Sequence, residues 1–213
     1  MYRSLLVMTK GYGEMNLKLG FYGSVINLCA VIAFAVSMLV RVDYASYLSS
    51  FFIAIGFILM MCAYAGIATE DNKAMGFATL VFTTIYAILI VFVYYTQMTT
   101  VQLEELNEQA ARILDYQSFG LMFNFDLLGY GFMAAATFFA SFLVLTKTKA
   151  DRWLKVLLRI HGIFAISCFV LPLLGVFTSD MKGGDLIGVA VLEFWCVYFI
   201  PVGILSILHF KRK

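Results

Sequence analysis

Two carboxylic acids stand in almost wholly apolar surroundings. Asp126 lies in Phe123-Asn124-Phe125-Asp126-Leu127-Leu128-Gly129-Tyr130, and Glu193 lies in Val189-Ala190-Val191-Leu192-Glu193-Phe194-Trp195. An acid held in hydrocarbon costs several kcal/mol, so each marks a candidate functional group. If the two carboxyls are neighbours, repulsion and desolvation leave them sharing a proton or a cation. With a substrate present, the same pair has the makings of an acid and a base. The competing reading gives each acid a hydrogen-bond partner, such as Asn124, Tyr130, Tyr198 or a threonine, and only the task of fixing helix register. Asp126, Glu193, Tyr130 and Asn124 therefore form the candidate ligand- or ion-binding set.

His161 and Arg159 are secondary candidates. Arg159 follows Lys155 by one turn, so its stem can run along a helix and place the guanidinium at a polar boundary. A lone histidine at 161 fits a hydrogen-bonded packing residue better than a proton relay, and His209 reads as an interfacial residue. Cys29, Cys62, Cys168 and Cys196 are scattered through apolar runs. Without the short spacing of a metal or redox motif, they read as small packing residues. The sequence contains no HExxH, GxSxG, P-loop or CxxCH motif, so no metal, haem or other cofactor is implied.

The elements that must position these groups follow from composition. Of the 213 residues, 62% are hydrophobic and 13% are charged, against about 45–50% and about 25% in soluble domains. Net charge is only +2, and no basic, aromatic-interleaved surface suggests nucleic acid. A helix that crosses a bilayer needs roughly 20 apolar residues. Runs free of charge apart from Asp126 and Glu193, with Arg41 closing the first span and Lys155 and Arg159 near the start of the fifth, place six spans at 20–41, 46–69, 75–98, 119–146, 154–178 and 186–210. Continuous runs such as Leu89-Ile90-Val91-Phe92-Val93 exclude the alternation of β-barrel strands. The first span is too long for a cleaved signal peptide, and no small-residue cleavage site follows it before Arg41. The expected fold is therefore an all-α membrane protein, a six-transmembrane-helix bundle forming one integral membrane domain over 1–213.

Lysine and arginine in short loops set orientation. Arg3, Lys10, Lys18, Lys73, Lys147, Lys149, Arg152, Lys155, Arg159, Lys211, Arg212 and Lys213 fall on one side. The other side holds Arg41, Arg112 and Lys182 against Asp43, Glu104, Glu105, Glu108, Asp115, Asp180 and Asp185. Both termini are expected in the cytoplasm. The 99–118 loop between helices 3 and 4 is then an outer loop. In it Leu103, Leu106, Ala110 and Ile113 oppose Glu104, Glu105, Glu108 and Arg112, an amphipathic pattern suited to a surface helix or to a solvated connector.

Orientation also places Asp126 and Glu193 at similar depth in the outer half. The face of Asp126 carries Met122, Gly129, Tyr130, Met133, Ala136, Thr137 and Ala140, and that of Glu193 carries Val189, Ala190, Cys196 and Val197. Small and polar residues of this kind suit helix contacts within a bundle. Pro172 and Pro201 each free a backbone carbonyl in spans five and six. The Asp180–Asp185 segment reads as a tight outer turn. The halves run in opposite senses but show no sequence similarity, so no inverted repeat is assigned.

The aromatic end of span three, Val93-Tyr94-Tyr95-Thr96-Gln97, the amphipathic loop and the Asp126 segment resemble a family of uncharacterised bacterial six-helix membrane proteins over about 75–210. The resemblance implies a prokaryotic plasma membrane and brings no activity with it. The leading expectation is a small transport or ligand-binding protein with an outward-facing polar pocket around Asp126 and Glu193. A non-catalytic accessory or sensor subunit, packed on a membrane partner or a second copy, is the first alternative. An intramembrane enzyme acting on a lipid or isoprenoid is the second, with the balance against an enzyme.

Overall fold

The computed structural model describes residues 2–177 and 186–211; the expected turn at 180–185 and the pair Arg212-Lys213 lie outside them. Among the described residues all regular structure is helical. The elements are α1 (Tyr2–Leu39), α2 (Asp43–Gly66), α3 (Lys73–Thr96), α4 (Glu108–Leu114), α5 (Leu121–Ala140), α6 (Lys149–His161), α7 (Phe164–Leu173) and α8 (Leu186–Lys211). Six stretches are long and apolar enough to cross a membrane: Gly13–Leu39, Asp43–Gly66, Glu70–Val101, Leu121–Ala140, Lys149–Leu173 and Gly188–Lys211.

These spans form a ring in chain order. α1 packs on α2, α2 on α3, α3 on α5, α5 on α6 and α7, and α6 on α8, which returns to α1. One end carries the α3–α5 connection and is termed the connection end. The opposite, turn end carries the 67–72 and 141–148 turns. The turn end is rich in cations, with Lys73, Lys147, Lys149, Arg152, Lys155 and Lys211. Asp43, Glu104, Glu105, Glu108 and Asp115 crowd the connection end.

Side chains are distributed inside out relative to a soluble protein. On α3, Thr79, Thr83, Tyr86, Ile90 and Tyr94 are buried, while Phe77, Val81, Ile88, Phe92 and Tyr95 face outward. Both sets recur at helical spacing, so one helix turns Thr79, Thr83, Tyr86 and Tyr94 inward and a largely hydrocarbon face outward. Exposed Tyr44 and Tyr95 near the connection end and Trp153 near the turn end have the placement of interfacial aromatic anchors. A surface of this composition suits hydrocarbon, where the interior gains from packing and hydrogen bonding because lipid offers no hydrophobic drive.

Small residues allow that packing. A Cβ at Gly56 of α2 would lie 2.5 Å from the Asn27 backbone nitrogen of α1, and one at Gly23 would lie 2.6 Å from the Met60 nitrogen. At this crossing the buried Asn27 donates from Nδ2 to the Ile53 carbonyl at 3.0 Å. α1 then closes with paired bonds, Val42 N to Ser37 O at 3.0 Å and Arg41 N to Met38 O at 3.2 Å. This pattern puts its penultimate residue in left-handed backbone, here Arg41 at φ 57° and not the usual glycine.

The turn end is tied by a buried latch between α6 and α8. Asp151 accepts from the Thr148 backbone and hydroxyl, each at 2.8 Å, and lies 2.9 Å from His209 Nδ1. Side-chain exposure of the pair is 2% for Asp151 and 9% for His209. Tyr64 of α2 stacks on His209 and donates to Ser206 at 2.9 Å. His209 is thus a half-buried structural residue, beyond the interfacial role its position suggests.

Three element boundaries differ from the sequence expectation. The fourth span ends at Ala140, and buried Leu143 and Val144 belong to the turn and extended segment that leads into α6. The fifth is broken into α6 and α7 at Gly162-Ile163, ten residues before Pro172. There the backbone tightens to three-residue bonds, Gly162 N to Arg159 O and Ile163 N to Ile160 O. Glycine is needed because a Cβ at 162 would lie 2.8 Å from Phe138 Cβ. The first helix also begins well before its span, at Tyr2. Within the 99–118 loop, Glu108–Leu114 forms a short α-helix.

Overpacking a close crossing of this kind costs about 1–3 kcal/mol. Gly56→Ala should therefore lower the melting temperature of the purified protein by several degrees, whereas Gly13→Ala, with open space around its Cβ position, should leave it unchanged or raise it. Equal melting of the two variants would contradict the close α1–α2 crossing.

Candidate functional site

The inward face of α5 holds Met122, Asp126, Gly129, Tyr130, Met133, Ala136, Thr137 and Ala140, all buried. Asp126 is only 2% exposed. Its position, three to four residues from Met122, Gly129 and Tyr130, puts it on that face by helical periodicity alone. The other requirement is a lid that brings polar groups to it, and the α3–α5 connection supplies this.

The connection is folded back by Gln97, at the end of α3 and 1% exposed. Its Nε2 donates to the Leu114 carbonyl at 2.8 Å, and its Oε1 accepts from the Tyr116 backbone N–H at 3.0 Å. One amide side chain thus satisfies two backbone groups of the returning chain. Gln117 Nε2 donates to Asp43 Oδ2 at the start of α2 at 2.8 Å, pinning the same segment from another side. Phe119 takes left-handed backbone at φ 51°, and a Cβ at Gly120 would collide with the Arg112 carbonyl oxygen. The turn into α5 therefore requires glycine.

This path delivers the Tyr116 hydroxyl to Asp126 Oδ2 at 3.4 Å. Burial first, and then the Asp126 carboxyl, hold the Tyr116 phenol well above its usual range, so it remains a donor at neutral pH. Tyr94 of α3 lies beside the same carboxyl, its ring 6.1 Å from that of Tyr116. Deeper in, the Tyr86 and Tyr130 rings are 6.0 Å apart. Within strict hydrogen-bond distance, Asp126 Oδ1 and the Tyr86 and Tyr130 hydroxyls are buried with no partner among the described residues. Unsatisfied buried groups of this kind are rare, and several around one acid call for a functional explanation.

A cavity of about 300 Å³ lies at the connection end. Tyr47, Tyr94, Tyr116, Phe119 and Phe123 supply aromatic wall, and Arg41 and Asp43 also line it. Tyr94 and Tyr116 belong both to this cavity and to the surroundings of Asp126, so two phenols separate the carboxyl from the space beyond.

The other candidates are dispersed. Asn124 faces outward on α5. Glu193 is half-buried, its Oε1 enclosed without a partner among the described residues. No hydrogen bond joins it to Asp126, and α8 reaches the α5 face through Trp195, whose ring is 5.3 Å from Tyr130. The inward face of α8 is Trp195, Cys196, Phe199, Val202, Ser206 and Phe210; Val197, expected to share the face of Glu193 in the bundle, is 66% exposed.

His161 is buried and fully engaged. The Trp195 indole donates to its Nε2 at 3.2 Å. Since an indole N–H only donates, the imidazole proton resides on Nδ1 and points to Thr137 Oγ1 at 2.8 Å. Thr137 in turn donates to the Ala134 carbonyl at 2.8 Å. Arg159 is exposed, its guanidinium 4.6 Å over the Phe142 ring.

Sequence reasoning did not assign Gln97, Tyr94, Tyr116, Gln117 or Asp43 to the site. A glutamine closing an aromatic helix end was a visible signal for Gln97. Tyr116 carried none, because its approach depends on a fold-back ten residues from Asp126. Compared with family models, curated proteins and solved structures, the chain matches none.

Leaving the two backbone groups held by Gln97 without their partner costs about 1–3 kcal/mol each at buried positions. Gln97→Ala should lower stability by that order and accelerate amide hydrogen exchange in 108–118 before the helical spans. Unchanged exchange there would show that the amide does not hold the connection.

Proposed function

We propose that this chain is a multi-pass protein of a prokaryotic plasma membrane that binds a small cationic ligand or ion above Asp126, with transport of that ligand as its activity. The observation that carries the reading is a carboxyl, nearly inaccessible and with one oxygen unpartnered, beneath two phenols that also line an open cavity. Aromatic faces and carboxylates attract cations together, and the cavity offers both through its ring-lined wall and Asp43. Arg41 balances the local charge from the rim. It does so from a left-handed backbone conformation that costs a non-glycine residue about 1–2 kcal/mol, the kind of strain found at functional positions. The cation-rich turn end supports a cytoplasmic location for that end and for both termini, so that the cavity faces outward.

In this reading Asp126, Tyr116, Tyr94 and Tyr130 form the binding set. Glu193, half-buried on α8, and Asn124, exposed on α5, lie outside this set. An intramembrane enzyme gains support from an apolar slot of about 480 Å³ between α7 and α8, large enough for part of a lipid chain. The catalytic group it would need is less evident, because His161, on the slot wall, uses both ring nitrogens. An accessory role on a partner protein or second copy draws on the same slot as a docking groove.

Thermal melting of the purified protein with sodium, potassium or tetramethylammonium checks the proposal. A ligand at a hundredfold its Kd stabilises by about 2.7 kcal/mol. Wild type and Glu193→Gln should respond alike to the effective cation, and Asp126→Asn should lose the response. Cation profiles of wild type and Asp126→Asn that coincide would sink the idea.

A further inference from the structure

α6 presents three distinct faces at the turn end. Asp151, Leu154, Leu158 and His161 point inward and are buried. Trp153, Val156, Ile160 and the following Ile163 are exposed and apolar. Between these two stripes, on the side toward the end of α5, run Arg152, Lys155 and Arg159, spaced three and four residues apart and so aligned along one edge of the helix. A cavity of about 320 Å³ lies against them, walled by Thr146, Arg152, Lys155, Val156, Arg159 and Ile160.

Two features leave this row available to an external anion. Among the described residues, none of the three cations has a carboxylate within ion-pair distance; the ion pairs of Lys18, Lys73 and Arg112 lie elsewhere. Arg159 is also pre-positioned: its guanidinium lies over the Phe142 ring, and its Nε donates to Ser141 Oγ at 3.4 Å. A guanidinium has five N–H donors, so the remaining ones stay available.

The surroundings select the kind of anion. The row covers about 10 Å along the helix at 1.5 Å per residue, from the bundle end toward its apolar belt. Val156 and Ile160, which line the same cavity, are 43% and 48% exposed. A ligand here meets positive charge and bare hydrocarbon together, and an anionic phospholipid offers the complement, a phosphate joined to acyl chains. Basic pockets at helix edges near one membrane face are suited to such headgroups.

We propose that Arg152, Lys155 and Arg159 form a site for the headgroup of an anionic phospholipid, with its chains lying along Val156 and Ile160. The site is separate from the cavity above Asp126 and does not depend on what that cavity binds.

Native mass spectrometry of the full chain, released from nanodiscs containing equal phosphatidylglycerol and phosphatidylcholine, tests it. Wild type should retain phosphatidylglycerol preferentially. A juxtamembrane basic residue contributes roughly a fivefold preference for anionic lipid, so Lys155→Gln should lower it about fivefold and Arg152→Gln/Lys155→Gln/Arg159→Gln roughly a hundredfold. Arg152→Lys/Arg159→Lys keeps the charge and should keep most of the preference. If the triple variant does not fold, Lys155→Gln and the double lysine variant decide. Equal retention of the two lipids by wild type, or undiminished preference in Lys155→Gln, overturns the proposal. Displacement of phosphatidylglycerol by inorganic phosphate would also overturn it, by showing that the acyl chains contribute nothing.

Discussion

A carboxyl group held at 2% exposure inside an apolar ring must be met by polar groups from the protein itself, because neither lipid nor packed side chains can replace water around it. The connection end is organised by this requirement. α5 points Asp126 inward, α3 brings Tyr94 beside it, and the returning connection brings Tyr116 to 3.4 Å. Gln97, Gln117 and Gly120 follow from the same need, since without the clip, the tie to Asp43 and the close turn, Tyr116 would not reach the acid. The cavity is the space left on the far side of those phenols.

The two ends of the bundle solve the problem of a buried acid differently. Asp151 is saturated, with the Thr148 backbone, the Thr148 hydroxyl and His209 arranged around it. Such an acid stabilises local structure and leaves no capacity for a ligand. Asp126 keeps an oxygen unpartnered among the described residues, and hydroxyls nearby are equally unpartnered. That contrast separates a structural acid from a candidate binding acid more clearly than depth or neighbouring residue types do.

Much of the fold was legible because hydrocarbon imposes simple rules. Charge-free runs located all six spans, though their ends differ from the observed ones by up to seven residues, and the buried face of α5 matches the face read around Asp126. The failures have physical causes. The break at Gly162 was hidden because it arises from close packing on Phe138, a long-range contact, while Pro172 drew attention as the conventional helix breaker. Asp126 and Glu193 share a depth in the sequence reading, but depth leaves rotation about the helix axis free, and Trp195 and Cys196 occupy the inward face of α8. Tyr116 was invisible for a related reason, since a fold-back held by one glutamine has no periodicity. The latch between Asp151 and His209 had a partial signal in Thr148-x-x-Asp151, a capping pattern, but its partner is 58 residues away.

Access to the cavity tests the central claim most directly. Met38 lines it, and Met38→Cys in a chain otherwise free of cysteine places a reactive thiol in its wall. In intact cells this thiol should react with a membrane-impermeant maleimide added outside. The cation that stabilises the purified protein should slow the reaction, and Asp126→Asn should abolish the slowing. Labelling only after the membrane is broken, or protection that persists in Asp126→Asn, would contradict an outward cavity whose occupant is held by Asp126.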